Sequence, residues 1–227
     1  MNPLSKIYNF ALDILFPSIC ISCKNHVSAD DNGPICPECL SGVRIRRVPA
    51  INSDLVAVFS ICDYNDSVVK ELVHAFKYDK ILSIEKTFGK LIENFFDGIA
   101  IEKIVDANNA LVVPVPLHAQ KHRKRGFNQS EIIASLVSKQ TRIPLNAGVI
   151  RRIKNTKPQM SLRNEKEREE NIKGAFASQI EDHEILKDKD IILVDDVYTS
   201  GNTTREAAKV LRKLGAKQIL IFVIART

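Results

Sequence analysis

No apolar run in this chain is long enough to cross a membrane. The most apolar N-terminal stretch, residues 7–16, is too short and contains Asp13. It also lacks the basic cluster and small-residue cleavage site of a secretory signal, so secretion is not expected. No internal repeat and no helix-turn-helix segment is evident, which argues against a solenoid and against a one-domain operator reader. Tryptophan is absent, and aromatic residues make up only 6% of the chain. Cytosolic residence is the expectation from these absences.

What is present bounds the architecture. The chain has 227 residues, of which 44% are hydrophobic. That is enough for one α/β domain with a full core, plus a small module. Lys and Arg number 33 against 27 Asp and Glu, a net charge of +6. An anionic partner is favoured, but the charge alone does not choose between nucleic acid and a phosphorylated metabolite. The cations cluster at 121–125 (KHRKR), at Arg44, Arg46 and Arg47, and at Arg151, Arg152, Lys154 and Lys157. The plainer reading of any one cluster is a solvated loop.

Periodicity predicts the elements. Residues 4–16 carry Leu4, Ile7, Phe10, Ala11, Ile14 and Leu15 on one helical face, and Pro17 ends the pattern. Residues 54–62 (DLVAVFSIC) read as a strand. Asp66 can cap a helix with Val69, Leu72, Val73 and Phe76 inward. Residues 83–96 read as a second helix, with Gly98 as its stop. Residues 111–113 form a short buried strand ending at Pro114. Asn128 can cap a helix bearing Ile132, Ile133, Leu136 and Val137, and residues 148–153 read as a strand. Residues 155–172 (NTKPQMSLRNEKEREENI) are charged and poor in apolar side chains, the character of a lid or binding loop that is partly helical. Strand 191–194, helix 203–214, Gly215 and strand 217–224 make a βαβ unit. Strands alternating with helices imply a mostly parallel sheet covered on both faces.

Four of the five cysteines form two C-x-x-C pairs, Cys20 with Cys23 and Cys36 with Cys39. Each pair can share one metal from a tight turn, and two such turns complete a tetrahedral Zn²⁺ site. Without a secretory signal, zinc is favoured over disulfides, with iron–sulfur and redox readings behind it. His26 is a substitute donor, but four thiolates already close the site. A closed site leaves no place for catalytic water, so this zinc is expected to be structural. Cys62 lies inside an apolar strand and reads as a core thiol.

The chemistry concentrates at residues 191–204 (IILVDDVYTSGNTT). A buried strand is expected to end at Asp195 and Asp196, where open α/β sheets bind ligands. Two adjacent carboxylates can accept hydrogen bonds from neighbouring ribose hydroxyls. The loop Thr199, Ser200, Gly201, Asn202, Thr203 offers hydroxyls and amides at a helix N-terminus, a cradle for phosphate. An ordinary acidic turn is the plainer alternative, and the full run disfavours it.

The run VDDVYTSGNTT resembles the phosphoribosyl-pyrophosphate (PRPP) signature of type I phosphoribosyltransferases. With it, residues 113–118 (VPVPLH), 121–129 (KHRKRGFNQ), Arg151-Arg152 with Gln159, 171–176 (NIKGAF) and the four cysteines resemble the ComF family, associated with natural competence and DNA uptake. The resemblance covers nearly the whole chain. It implies a type I phosphoribosyltransferase-like α/β domain over 48–227, following an N-terminal helix and zinc finger over 1–47, with a flexible loop at about 155–170. It implies PRPP held by Asp195, Asp196, Val197, Tyr198, Thr199, Ser200, Gly201, Asn202 and Thr203, and Mg²⁺ travelling with PRPP. Pro114, Val115 and Pro116 would lie at the pyrophosphate loop. Arg125, Arg151, Lys157 and Arg163 are the unranked candidates to neutralise pyrophosphate. Arg44, Arg46, Arg47, Lys121, Arg123, Lys124 and Arg125 are the candidates for single-stranded DNA.

The acceptor is not legible. Tyr64, Tyr78 and Phe127 are candidate stacking residues, though such a residue is more often a core or rim aromatic. An N-terminal catalytic cysteine is lacking, since Cys20 belongs to the metal set. Two functions follow. One is a DNA-uptake protein that handles single strands and binds PRPP, cytoplasmic and drawn to the inner membrane face by uptake partners. The other is an active phosphoribosyltransferase with an unidentified acceptor.

Overall fold

The computed structural model describes residues 19–27, 33–51, 57–79, 83–157, 164–180 and 183–227. The helix predicted at 4–16 and Arg163 lie outside the described residues, as does the middle of the loop predicted at 155–170.

Short helix α1 (Pro37–Ser41) closes the cysteine module. Strands β1 (Ala50–Ile51) and β2 (Ala57–Asp63) follow, then helix α2 (Ser67–His74). The Asp66 carboxylate caps α2, accepting from the N–H groups of Val68 and Val69 at 2.9 and 3.3 Å. The helix then widens into a π-helical turn, Ala75–Asp79. Helix α3 (Ile84–Phe96) buries Ile84, Phe88, Leu91, Ile92 and Phe95 along one face. It ends at Phe96, as expected, but not through a glycine reversal at 98. Gly98 does not reverse the chain in the left-handed region. It leaves room for the Arg47 side chain, into which any Cβ at 98 would run.

Strand β3 (Ala110–Pro114), helices α4 (Ala119–Arg125) and α5 (Gln129–Thr141), strand β4 (Ile150–Arg152), helix α6 (Glu165–Ile172) and strand β5 (Phe176–Ser178) continue the chain. Strand β6 (Asp190–Tyr198), helix α7 (Asn202–Lys213) and strand β7 (Gln218–Arg226) end it. The main sheet has the order β1-β2-β7-β6-β3, with β2, β7, β6 and β3 parallel and β1 antiparallel at the edge. Strands β4 and β5 pair antiparallel as a separate ribbon.

Alternation along β6 sorts the two faces. Ile192 and Val194 point into a cluster with Phe76, Phe88, Phe95, Ile133 and Val137. Ile191 and Leu193 point the other way, onto Ala207, Ala208 and Leu211 of α7 and onto Ile150 and Phe176 of the ribbon. Each fully buried side chain of this kind contributes roughly 1.5–3 kcal/mol. The first cluster also takes in Cys20, Val27, Ile35, Leu40 and Val43, so the cysteine module packs into the main core. Cys62 is fully buried there, and burial pushes its thiol up to about 12.

Candidate functional site

Strand β6 runs four residues beyond its expected end. Pairing with β7 continues through Asp195–Val223, Val197–Ala225 and Tyr198–Arg226, so both carboxylates sit within the strand. Alternation sends them to different sides. Asp196 continues the row of Ile192 and Val194, and meets Lys77 from the π turn at 2.9 Å. Both side chains are mostly covered. Burial works against the Lys77 charge, but Asp196 and Asp195 outweigh it and hold the ammonium pKa above its ordinary value. Asp195 accepts from the Ser130 hydroxyl of α5 at 2.9 Å and from the Asp196 N–H at 2.9 Å. Burial, then the neighbouring Asp196 charge, pushes its carboxyl up to about 6.

The phosphate-type loop follows directly. Gly201 adopts φ 73° at the N-cap of α7, and a Cβ there would collide with the Tyr198 ring. Asn202 is buried and its side-chain oxygen accepts from Arg205 at 2.8 Å. The Ser200 hydroxyl and the Asn202 side-chain amide nitrogen are buried with no hydrogen-bond partner. Such orphans are costly unless a ligand completes them. They lie where the first N–H groups of α7 also lack intrahelical partners. A phosphate would satisfy both sets together.

Cations face the carboxylates from a second direction. Lys121 and Arg125 share one side of α4, one helical turn apart, and both are half-buried. The Lys121 ammonium donates to the Thr156 carbonyl at 2.9 Å. Burial, with Arg152 and Arg125 nearby, pushes its pKa down to about 8. Arg125 donates to Gln129 at 2.9 Å. Arg152 lies over the Phe176 ring and donates to the Thr156 hydroxyl at 2.5 Å. Its Nε is buried without a partner, and Asp195 is in electrostatic reach. Its neighbour Arg151 is exposed.

Pro114 ends β3 buried, Val115 is buried and donates its N–H to Val194 at 2.8 Å, and Pro116 is half-exposed. Asn128 stands at the N-cap of α5 without capping it. Its side-chain amide instead donates to the Val115 carbonyl at 3.2 Å. Lys157 is exposed, and its backbone is clasped by Asn171 through bonds of 3.1 and 3.0 Å.

The remaining basic candidates lie elsewhere. Arg123 and Lys124 are exposed on α4, and Arg44 is exposed beyond the cysteine module. Arg46 is ion-paired with Asp63, and Arg47 donates to the Asn94 carbonyl at 3.0 Å. Lys77 and Arg152 were not among the expected site residues. Strand alternation carried a signal for Arg152: with Ile150 inward, position 152 follows it. Nothing in the residue pattern marks the π turn that delivers Lys77.

The four sulfurs of Cys20, Cys23, Cys36 and Cys39 lie within 4.8 Å of one another. Tetrahedral zinc thiolates sit about 3.8 Å apart. Backbone N–H groups point at the sulfurs, from Cys36 to Cys20 at 3.4 Å and from Cys39 to Cys36 at 3.5 Å. The soft donor set and these N–H bonds fit a structural metal such as zinc. His26 is exposed and stands outside the cluster.

Comparison with known proteins agrees with this geometry. The family model of the phosphoribosyl transferase domain matches residues 124–227, which include α5, the carboxylate pair and the loop. Competence protein F of Haemophilus influenzae is 31% identical over 155 residues, 68% of this chain and 66% of that protein. DNA utilization protein YhgH of Escherichia coli K12 is 24% identical over 228 residues, covering 92% of this chain and 90% of its own length. Competence protein ComFC of Bacillus subtilis is 28% identical over 233 residues, covering 96% of this chain and 88% of its own. With a phosphoribosyltransferase-type sheet, a carboxylate pair on its central strand and a four-cysteine cluster ahead of it, the chain belongs to the ComF family.

Proposed function

We propose that this chain acts in natural competence and DNA uptake, handling single-stranded DNA and holding PRPP with Mg²⁺ at its phosphoribosyltransferase-type site. The observation that carries the PRPP reading is the pair of buried, unpartnered donors, Ser200 Oγ and Asn202 Nδ2, beside two adjacent carboxylates. In this reading Asp195 and Asp196 accept from the ribose hydroxyls, and residues 199–203 hold the 5′-phosphate. Lys121, Arg125 and Arg152 neutralise pyrophosphate. Carboxylate oxygens suit a hard cation, and Mg²⁺ bound with PRPP would offset the charge of the pyrophosphate oxygens. The names of the relatives support the uptake role. Among the described residues no helix is long and apolar enough to cross a membrane. Work at the inner membrane face, on this reading, depends on uptake partners.

The basic surface then divides. Lys121 and Arg125 turn toward the site, whereas Arg44, Arg123 and Lys124 are exposed and suited to a DNA backbone. Backbone contacts give sequence-independent, salt-sensitive binding. Anisotropy of a labelled single strand at two salt concentrations tests this. Binding that weakens with salt, and weakens further in Arg123→Glu/Lys124→Glu, is expected. An absence of binding at low salt overturns the DNA reading.

A second reading is favoured by the completeness of the site: an active transferase. The bond from ribose C1′ to pyrophosphate breaks, the acceptor bonds to C1′ and gives up its proton, and preorganised cations stabilise the departing charge. Pyrophosphate release across a panel of bases, amines and ammonia decides it. Release no higher than in Asp195→Asn/Asp196→Asn would remove this reading.

A further inference from the structure

The π turn Ala75–Asp79 lies well before residues 124–227, which carry the match to the phosphoribosyl transferase domain. That match leaves the turn unexplained. A π turn bonds residues five apart instead of four, and such turns recur at functional sites. Here the wider period brings His74 and Asp79, five residues apart, within 3.9 Å of each other.

Two successive side chains of the turn reach groups of opposite charge. The Lys77 ammonium lies 2.9 Å from Asp196 Oδ2, with both side chains mostly covered. The Tyr78 ring is 55% exposed, so core packing does not account for it. Its partner is the Arg125 guanidinium, 5.6 Å from the ring centroid. Arg125 also donates to the buried Gln129 at 2.9 Å. Lys77 and Arg125 are within electrostatic reach of each other, so both contacts belong to one small region.

We propose that the π turn is the positioning element of the PRPP site: Lys77 fixes the Asp196 carboxylate toward the ribose, and Tyr78 fixes the Arg125 guanidinium toward the pyrophosphate. This rests on the PRPP reading and adds which residues align its two halves. An ionised carboxylate accepts several hydrogen bonds, so Asp196 can hold Lys77 and a ribose hydroxyl together. A guanidinium stacked on a ring keeps its N–H edge for phosphate oxygens. Side chains that bind must themselves be held, and one backbone turn holds both of these. The sugar and the diphosphate are thereby fixed relative to each other.

Calorimetric titration of the full chain with ribose 5-phosphate, with inorganic pyrophosphate and Mg²⁺, and with PRPP·Mg²⁺ separates the two halves. Lys77→Met is expected to weaken ribose 5-phosphate and PRPP by about threefold to tenfold, the worth of one hydrogen bond, and to leave pyrophosphate unchanged. Tyr78→Ala is expected to weaken pyrophosphate and PRPP by about twofold to fivefold, the worth of an exposed cation–π contact, and to leave ribose 5-phosphate unchanged. Tyr78→Phe restores its half, and Lys77→Arg recovers part of the other. A turn that is merely structural would weaken both halves in either variant, and that result overturns the positioning role. Unchanged affinity for all three probes overturns it too, as does tighter ribose 5-phosphate binding by Lys77→Met, which would make Lys77 a competitor of the sugar. If only PRPP binds measurably, double-mutant cycles decide. Losses that are less than additive are expected for Lys77→Met with Asp196→Asn and for Tyr78→Ala with Arg125→Met, and additive losses overturn the assignment. If the wild type binds none of the three, the PRPP reading falls and the positioning role with it.

Discussion

Lys77 and Asp196 meet at 2.9 Å with both side chains largely covered from water. Removing one partner leaves the other charge without compensation. Lys77→Met keeps the apolar stem and deletes the ammonium, and is expected to lower stability by about 1–3 kcal/mol in urea denaturation. An unchanged midpoint would mean that the pair is incidental. Asp195 carries the opposite sign of effect. Its carboxyl is raised to about 6 by burial and by Asp196. The folded chain therefore binds more protons than the unfolded chain between about pH 4 and pH 6. The contribution of this group is most favourable below that window and is lost as pH rises through 6. Asp195→Asn is thus expected to exceed the wild type in stability at pH 7, by on the order of 1–3 kcal/mol, and to converge with it near pH 4. Thermal melts across that range would reveal a pH-independent difference if this is wrong. The carboxylates themselves were legible in sequence because a strand and a glycine loop frame them. Lys77 was not, because the π turn that carries it looks like the tail of an amphipathic helix.

At the scale of elements, the β6–loop–α7 unit is the part most tightly specified by local chemistry. Strand alternation splits the carboxylates, and Gly201 turns the chain in a region that L side chains rarely adopt. Gly201→Ala meets two penalties together, the positive φ and the Tyr198 ring. A loss of about 1–3 kcal/mol is expected, read as a lowered melting temperature. A melt within error of wild type would show that the loop yields easily. Periodicity located the longer helices because their apolar faces are continuous, as in Ile84, Phe88, Leu91, Ile92 and Phe95 of α3, whereas α4 buries no residue and its basic run reads as a loop. It misjudged ends where tertiary contacts decide. Strand β6 lengthens because β7 pairs alongside it. Gly98 serves Arg47 rather than a helix stop, and Asn128 spends its amide on Val115 rather than on α5.

Across the whole molecule, the cysteine module and the sheet share one core. Cys20, Ile35 and Leu40 belong to the same buried cluster as Phe59, Phe95 and Phe222. Sequence suggested a separate module because C-x-x-C spacing reports ligands and says nothing of what the module packs against. Metal removal is therefore expected to lower the stability of the entire chain in one cooperative calorimetric transition. Two independent transitions, with only the smaller one sensitive to chelator, would contradict the shared core. Lys77 of the π turn meets Asp196, and Cys20 of the cysteine module lines a cleft against Lys70 and His74 of α2. On the proposed reading PRPP and single-stranded DNA bind one folded unit, and any coupling between them must be reciprocal. The most direct measurement is calorimetric titration of PRPP·Mg²⁺ into the wild type and into Asp195→Asn/Asp196→Asn, with and without a saturating single strand. Saturable binding by the wild type, at least about tenfold weaker in the double variant and shifted when DNA is present, is the expected result. Equal binding by both proteins would contradict the assignment of PRPP to the carboxylate pair.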